Sequence, residues 1–583
     1  LDDLGKLRKF DMVMVNGMGL RLTEEQRMEL QDVADRVPML TTAATNPDNY
    51  IVSIDPATTD TLVRYLNNGG RSNYRNMLNY IRLNVDGKRF RTPQPQPVAA
   101  ASRDLIFHQD PKRPDDEDLG FNTLREYDNF LKDNGLYKND APRILLTGLM
   151  GEPNALVAQL EATGNVVYPV RNMRAFVQRG LADSVQPSAV INMAHGRMGD
   201  YMVDYLKRQG IPLFTTVYVP QLTEEWEADK MGISGGFLSQ SIVTPEIDGA
   251  IRPYAVFSHR INSEGLQEIY AEPSRLNDFV QAVNNQVALQ RKPNSEKRVA
   301  VYYFKGPGQN ALTASGLEVV PSLYNLLSRL KSEGYRVENL PVSADELGKM
   351  IQRQGVVLGT YAEGAFEDFM QHGNPEWVDR QSYEAWVGQA LRPERYEEVK
   401  ALYGDFPGAY MSSPDGRLAV ARLQFGNVVL LPQPMAGLGD NDFKIVHGTD
   451  AAPPHTYIAS YLWARFGFQA DAIMHFGTHG SLEYTPRKQV ALCANDWPDR
   501  LVGPTPHLYL YTIGNVGEAL IAKRRSYAEV QSYLTPAFKE SGVGSTYREL
   551  SEALKTYFQC LEAGQDTEKA ALEAKRLAVL AGI

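Results

Sequence analysis

The sequence has very little cysteine. Cys493 and Cys560 are the two cysteines among 583 residues, and no CxxC pair is present. This argues against a disulfide framework or a thiolate zinc site and fits a reducing, cytoplasmic compartment. The sequence also lacks any apolar run near the ~18 residues that a membrane helix needs, and no signal peptide opens it. A membrane span within this chain is therefore not expected.

An excess of positive charge is also missing. Lysine and arginine number 60 against 70 aspartates and glutamates, which gives a net charge of −10. Nucleic acid is therefore not an expected partner, and an acidic ligand would need a local basic patch. The phosphate-loop pattern GxxxxGK[ST] does not occur, so we expect that this chain binds no ATP.

What is present is the composition of a globular protein, with 43% hydrophobic and 22% charged residues. The length corresponds to about four domains of about 150 residues each. The chain begins at Leu1 instead of methionine and ends within a helical pattern. We therefore expect a piece of a longer protein, whose other segments could attach it to a membrane.

Alternating strand and helix patterns predict a multidomain α/β protein with several doubly wound units and a helical C-terminal tail. Strands are expected at 144–147, 166–170, 189–192 and 213–219, with helices between them. The predicted division is an α/β unit at 1–92, an irregular linker at 93–142, a doubly wound domain at 143–295, a second α/β unit at 296–400, and a site-bearing region with the helical tail at 401–583.

The strongest chemical signal is the stretch HFGTHGSLE at 475–483, which follows a short apolar run of strand character. It places His475, His479 and Glu483 where open α/β sheets bind ligands, at the end of a strand. The two imidazoles are spaced as in a zinc-protease helix, but Phe476 stands where that motif needs glutamate. Gly477 and Gly480 also disfavour a helix there. Two core histidines are the alternative interpretation.

A second candidate follows the strand at 189–192. The sequence Ala194-His195-Gly196-Arg197 lies at a strand end, where His195 and Arg197 could contact a ligand. An ordinary loop histidine is the alternative, since no recognised motif surrounds it.

From Gly426 to Pro536 the chain resembles the large (H) subunit of the cobaltochelatase/magnesium-chelatase family, the CobN type. The matching motifs are GNV at 426–428, PQP at 432–434, PPH at 453–455, HFGTHGSLE at 475–483, PDRLVG at 498–503, AKRR at 522–525 and LTP at 534–536. Weaker similarity upstream extends the resemblance over nearly the whole chain. It implies a tetrapyrrole-binding subunit that moves a divalent metal into or out of the ring and works with separate ATPase subunits.

Two departures refine this expectation. Arg487 stands where the family usually has glycine, in Pro-Gly-Lys, and Tyr533 replaces the histidine before Leu-Thr-Pro. Both variants resemble the HmuS-type homologues of bacterial haem-uptake loci, which implies haem as the tetrapyrrole and removal of its iron. Insertion of cobalt or magnesium is the alternative within the family. A haem or tetrapyrrole carrier without catalysis, and less favourably a zinc hydrolase, are alternatives of other classes.

The resemblance also suggests roles for residues. His475 and His479 would bind the metal, and Glu483 with a histidine would carry protons. His195 and His455 would be partners on the second face or in the outer shell. Basic residues would bind the ring's carboxylates through charge-assisted hydrogen bonds: Arg197, Arg487, Lys488, Lys523, Arg524 and Arg525. For the last three, a solvated helix face is the alternative.

Overall fold

The computed structural model describes residues 3–87, 91–100, 104–304, 312, 317–358, 364–437, 451–477, 480–512, 516–533 and 545–580. The strands, in chain order, are β1 Val13–Gly17, β2 Met39–Ala44, β3 Ile106–His108, β4 Leu119–Phe121, β5 Arg143–Thr147, β6 Val166–Val170, β7 Ala189–Asn192, β8 Leu213–Leu222, β9 Ala250–Ile261, β10 Gln267–Ala271, β11 Val299–Tyr303, β12 Glu376–Val378, β13 Leu418–Val420, β14 Leu423–Phe425, β15 Val428–Pro432, β16 Ala472–Phe476, β17 His507–Thr512 and β18 Glu529–Tyr533.

The α-helices, in chain order, are α1 Glu24–Ala34, α2 Pro56–Asn68, α3 Arg71–Asn84, α4 Leu124–Asp133, α5 Pro153–Ala162, α6 Met173–Gln178, α7 Leu181–Val185, α8 Asp200–Gln209, α9 Thr223–Ala228, α10 Gly235–Leu238, α11 Thr244–Ile247, α12 Pro273–Arg291, α13 Val319–Ser332, α14 Ala344–Gln354, α15 Ala365–His372, α16 Arg380–Ala390, α17 Pro393–Tyr403, α18 His455–Leu462, α19 Trp497–Val502, α20 Val516–Arg525, α21 Ser545–Glu562 and α22 Glu568–Leu580. No helix among the described residues is both long and apolar enough to cross a membrane.

An eight-stranded sheet forms the first large unit, in the order β10-β9-β8-β7-β5-β6-β3-β4. The strands from β5 to β9 run parallel, and β3, β4 and β10 pair antiparallel with their neighbours. All residues of β6 and β7 are buried, as expected for parallel strands that helices cover on both faces. The carboxyl ends of β5 and β7 flank the point where the strand order reverses.

A six-stranded sheet forms the second large unit, in the order β14-β15-β11-β16-β17-β18. Its strands are parallel except for β14, which pairs antiparallel with β15. The expected α/β class is confirmed, with two parallel-dominated sheets and the helices α21 and α22 at the C-terminal end.

Buried polar contacts hold the two large units together. The Arg275 guanidinium on α12 lies 2.8 Å from both carboxylate oxygens of Asp499 on α19. Arg252 on β9 donates to the carbonyls of Thr505 and Gly503 at 2.7 and 2.9 Å. Because these bonds are buried, the orientation of the second sheet against the first is fixed by directional contacts.

Two expected domain boundaries differ from the structure. Segment 93–142, expected to be an irregular linker, contributes β3, β4 and α4 to the first unit. Its strands are only three residues long, too short to give a periodic pattern. The boundary at 400 also divides one sheet, because β11 pairs on one side with β15 and on the other with β16.

Candidate functional site

His475 lies near the carboxyl end of β16, in the middle of the six-stranded sheet. It is the cross-strand partner of Tyr302 on β11 and of Tyr509 on β17. The parallel register therefore places its imidazole between the two phenol rings, at centroid distances of 5.3 and 4.9 Å and interplanar angles of 22° and 17°. The residue is only 2% exposed. The sheet fixes this ring on both sides.

A chain of hydrogen bonds defines the tautomer of His475. His507 Nδ1 lies 2.7 Å from the carbonyl oxygen of Ser526, which can only accept, so this nitrogen carries the proton. His507 Nε2 must then accept from His475 Nδ1, at 2.7 Å. His475 Nε2 in turn accepts from the Tyr461 hydroxyl at 2.9 Å. Both ring nitrogens of His475 are therefore hydrogen-bonded within the protein.

The electrostatics of the two imidazoles agree with this assignment. Burial lowers the pKa of His507 to about 4, and burial together with the neighbouring His507 lowers the pKa of His475 well below its usual value. Both rings are therefore neutral near pH 7, with one donor and one acceptor nitrogen each.

Glu483 lies in a single 3₁₀ turn, Leu482–Tyr484, and is fully buried. Its Oε1 accepts a hydrogen bond from the Tyr509 hydroxyl at 2.7 Å. The Gly480 N–H, 3.3 Å away, is shared between this oxygen and the Tyr509 hydroxyl oxygen. Burial and the charge of Glu483 raise the pKa of Tyr509 well above 10, so the phenol keeps its proton and donates it. Tyr509 thus touches both His475, through its ring, and Glu483, through its hydroxyl.

Gly480 allows this close arrangement. A Cβ at this position would lie 2.6 Å from the Tyr509 hydroxyl and 3.0 Å from His475 Cδ2. Any other residue would push these two groups apart, so the glycine is required by packing rather than by a turn.

A second set of polar residues joins the cluster from α18 and the end of β15. The Ser481 hydroxyl lies 3.0 Å from the amide nitrogen of Gln433 and 3.0 Å from the Tyr457 hydroxyl. Gln433 also donates to Tyr461 at 3.1 Å. Tyr457 and Tyr461 are four residues apart and therefore share one face of α18. We name the residues His475, His507, Tyr461, Gln433, Tyr457, Ser481, Glu483 and Tyr509 the polar cluster.

Sequence reasoning found His475 and Glu483 but missed the other six members. Gln433 and Ser481 were within motifs of the resemblance, and the four-residue spacing of the α18 tyrosines was available as a signal. His507 and Tyr509 gave none, because only the register of β17 against β16 brings them in. His479 lies outside the described residues. Among the described residues, no three histidine, cysteine, aspartate or glutamate side chains gather as a metal-binding group.

Two of the candidate cations are buried against backbone carbonyls. Lys488 is 1% exposed, and its Nζ donates to the carbonyl of Glu227 at 3.1 Å. Arg525 is 6% exposed and donates to the carbonyls of Lys488, at 3.0 Å, and of Thr485. These contacts fix the backbone that follows Glu483.

The other candidate cations from the C-terminal motifs differ in their surroundings. Arg524 forms an ion pair with Glu246 at 3.3 Å. Lys523 is half-buried, and burial lowers its pKa. Arg487 has its Nε 3.8 Å from the carboxylate of Asp496, which is beyond hydrogen-bonding distance.

His455 and His195 are not members of the polar cluster. His455 is 2% exposed at the start of α18, with Nδ1 2.9 Å from the Tyr383 hydroxyl and Nε2 2.9 Å from the Gly404 carbonyl. Burial lowers its pKa, as for a satisfied core histidine. A cleft of about 290 Å³ opens beside it, lined by residues that include Tyr403, Pro454 and Thr456.

His195 follows β7 in the other sheet, with an exposed ring. Its Nδ1 lies 2.9 Å from the Ser241 hydroxyl. Arg197 is bound to two carboxylates, those of Asp248 and Asp200, each at 2.7 Å. The structure thus places these two candidates at the carboxyl edge of the eight-stranded sheet, as predicted for a strand end.

A family model described as CobN/Magnesium Chelatase matches residues 63–581, which includes every residue of the polar cluster. The chain belongs to this family. The match confirms the resemblance at the level of the family and leaves the HmuS-type assignment a prediction.

Several CobN/magnesium-chelatase proteins are similar to this chain. The magnesium-chelatase H subunit of Rhodobacter capsulatus is 33% identical over 374 residues, which is 61% of this chain and 30% of that protein. The chloroplastic magnesium-chelatase ChlH subunit of Oryza sativa subsp. indica is 30% identical over 440 residues, 72% of this chain and 30% of that protein. The chain therefore spans about a third of the length of these relatives.

A solved structure supports the fold. The catalytic subunit of cobaltochelatase from Mycobacterium tuberculosis superposes with a TM-score of 0.66 at 22% identity, over 100% of this chain and 49% of that one. The α/β architecture is thus shared with a chelatase subunit along the whole chain.

Proposed function

We propose that this chain is the tetrapyrrole-binding part of a large chelatase subunit, and that it removes iron from haem to leave free porphyrin. The observation that carries the proposal is the polar cluster, in which Glu483 and His475 meet through Tyr509 within the family-matched region. It lies at the carboxyl edge of a parallel sheet, where such sheets bind ligands.

Metal removal requires that two protons reach the pyrrole nitrogens that held the metal. Glu483 is the residue that we propose carries these protons, because two neutral groups, the Tyr509 hydroxyl and the Gly480 amide, donate to its Oε1. A carboxylate with neutral donors can take up and release a proton within the cluster. The linked Tyr461, His475 and His507 hold the His475 ring in one tautomer beside this carboxylate, since each accepts from one neighbour and donates to the next.

The proposed metal ligands are His475 and His479. Neutral imidazole binds iron and cobalt readily, whereas magnesium prefers oxygen ligands. His475 is neutral but its Nε2 accepts from Tyr461, so metal binding through this nitrogen requires the Tyr461 hydroxyl to turn away. We therefore expect that Tyr461→Phe strengthens metal binding at His475.

His195 and His455 remain proposed outer partners. Arg197, Arg487, Lys523 and Arg524 remain proposed contacts of the ring's carboxylates. Separate ATPase subunits are proposed as partners, since the chain has no GxxxxGK[ST] pattern.

A second candidate is insertion of magnesium or cobalt. The names of the relatives favour it, since they are magnesium-chelatase and cobaltochelatase subunits. The polar cluster serves either direction, because the same groups that deliver protons to the ring remove them from it.

Absorption spectra of the chain titrated anaerobically with reduced haem test the proposal. We expect a shifted Soret band that changes with time into the four-banded visible spectrum of free porphyrin. A stable haem complex without conversion indicates a carrier. Conversion of porphyrin with added magnesium or cobalt, and none with haem, indicates insertion. Absence of binding to any of these rings contradicts the proposal.

A further inference from the structure

Arg487 has a backbone conformation that disfavours it. Its φ of 98° lies in the left-handed region, which glycine adopts without strain and other residues avoid. The chain therefore places a long cation at a position that suits glycine, four residues after Glu483. Arg525 fixes the carbonyls on either side of it, those of Thr485 and Lys488, so the surrounding structure maintains this conformation.

The charge of Arg487 is incompletely neutralised among the described residues. Its side chain is 19% exposed, and its Nε is buried without a hydrogen-bond partner there. The nearest carboxylate, that of Asp496, is 3.8 Å away and accepts instead from the backbone N–H of Lys488 at 3.0 Å and of Cys493 at 2.7 Å. A half-buried guanidinium in this state favours an additional anion.

A second arginine, Arg395, lies nearby on α17. Arg392 at the start of this helix binds the carboxylate of Glu227 at 2.8 Å, while Lys488 binds the carbonyl of the same residue. Lys488, the neighbour of Arg487, and Arg392, the N-cap of α17, therefore meet at Glu227. Arg395, one turn further, is 14% exposed, and its Nε is also buried without a hydrogen-bond partner among the described residues.

The two arginines affect each other. Burial and the charge of Arg487 both lower the pKa of Arg395, while its own ion pair with Glu398 at 2.7 Å raises it. Two like charges in a half-buried position repel each other unless an anion lies between them. Guanidinium groups bind carboxylates through paired N–H donors, which makes a carboxylate the matching ligand.

We propose that Arg395 and Arg487 form a receptor for a carboxylate of the tetrapyrrole. This inference rests on the proposed function, and it adds Arg395, which no sequence motif indicated. The receptor orients the ring by its edge while the polar cluster acts on its centre. A free small carboxylate has the same chemistry, so the experiment must separate the two sources.

Soret titration with haem and with its dimethyl ester tests this inference on the purified chain. Because charge-assisted hydrogen bonds are lost, we expect Arg487→Gln and Arg395→Gln each to raise the Kd for haem about tenfold or more. The ester should bind the wild type as weakly as haem binds the variants, and neither substitution should weaken it further. Arg329→Gln, which removes an exposed ion pair on α13, is the matched control.

Arg487→Gly separates a binding role from a structural one. Glycine relieves the strained φ, so we expect a melting temperature equal to or above that of the wild type together with the weaker haem binding. A lower melting temperature with unchanged haem affinity would overturn the inference.

Three further outcomes also overturn it. Equal affinity of the wild type for haem and for the ester overturns the inference alone. A second such outcome is that citrate raises the melting temperature of the wild type but not of Arg487→Gln, while haem and its ester bind the wild type equally. The receptor would then bind a free carboxylate and not one of the tetrapyrrole. If neither haem nor the ester binds, the proposed function is overturned as well. This outcome differs from equal binding of the two rings, which overturns only the carboxylate receptor.

Discussion

Asp499 and Glu483 are both fully buried carboxylates, but their partners differ. Asp499 lies between the two large units, with Arg275 2.8 Å from both of its oxygens and Arg500 as a second cationic partner. Glu483 accepts from the Tyr509 hydroxyl and the Gly480 amide. A carboxylate between guanidinium groups is suited to holding structure, whereas one hydrogen-bonded by neutral donors is suited to proton transfer.

The electrostatics of Asp499 follow from its partners. Burial alone would raise the pKa of this carboxyl, but the charges of Arg275 and Arg500 outweigh burial and hold it below its usual value. Asp499 therefore stays charged throughout the physiological range, and we assign it a purely structural role.

The largest expected effect is on stability. Asp499→Asn removes the hydrogen-bonded anion of the buried Arg275 and leaves the Asp278 carboxylate 3.7 Å away. We therefore expect the free energy of unfolding to fall by about 3–5 kcal/mol. Glu483→Gln keeps an oxygen that accepts from Tyr509, and we expect a loss of about 1 kcal/mol. Urea unfolding of both variants measures the difference. Equal losses of unfolding free energy in the two variants would show that Glu483 stabilises the fold as much as Asp499 does, and the contrast between the two carboxylates would not hold.

A smaller effect is expected when Glu483 loses its hydroxyl donor. Tyr509→Phe removes that donor from a buried carboxylate, so we expect a loss of about 1–2 kcal/mol in unfolding free energy. Tyr303→Phe on β11 is the matched control, because the Tyr303 hydroxyl is buried without a hydrogen-bond partner among the described residues. This control should be neutral or slightly stabilising. A loss in the control as large as in Tyr509→Phe would contradict the assignment of the hydrogen bond.

An effect of similar size is expected on the pH dependence of stability. The folded-state pKa of His507, about 4, lies below the usual 6.5. The unfolded chain therefore binds protons first as the pH falls, and stability present above pH 6.5 is lost towards pH 4. His507 alone contributes about 2 kcal/mol of loss between pH 7 and 5.

Asp499 does not contribute in this window, because its stabilisation is lost only as the pH falls below about 4. Urea midpoints at pH 7 and 5 measure the difference. His507→Gln should reduce this difference by about 2 kcal/mol, while His372→Gln, at an exposed histidine on α15, should leave it unchanged. Part of the difference remains in His507→Gln, because burial also lowers the pKa of His475 and of His455. An undiminished pH difference in His507→Gln would mean that the His507 imidazole is not held neutral.

Much of the fold was predictable from sequence because long apolar runs and capping signals are local. The strands predicted at 166–170 and 189–192 coincide with β6 and β7, and the C-terminal helices are present. Strands β3 and β4 were missed because each is only three residues long. Their pairing depends on long-range contacts that leave no local pattern.

The site was predictable only where its residues are close in sequence. His475 and Glu483 belong to one motif, whereas His507 and Tyr509 are brought in by the register of β17. The basic motif residues show a further limit. Lys488 and Arg525 were expected to contact a ligand, and the structure buries both against backbone carbonyls, because charge type alone does not indicate burial.

The rate of metal loss from bound haem, measured in Glu483→Gln against the wild type, tests the central claim most directly. Both proteins are saturated with reduced haem under anaerobic conditions, and the free-porphyrin bands are followed in time. We predict haem affinity within about threefold of the wild type and a rate lower by about 10²–10⁴-fold, the usual contribution of a general acid–base group. Conversion by Glu483→Gln at the wild-type rate would contradict the claim that Glu483 carries the protons.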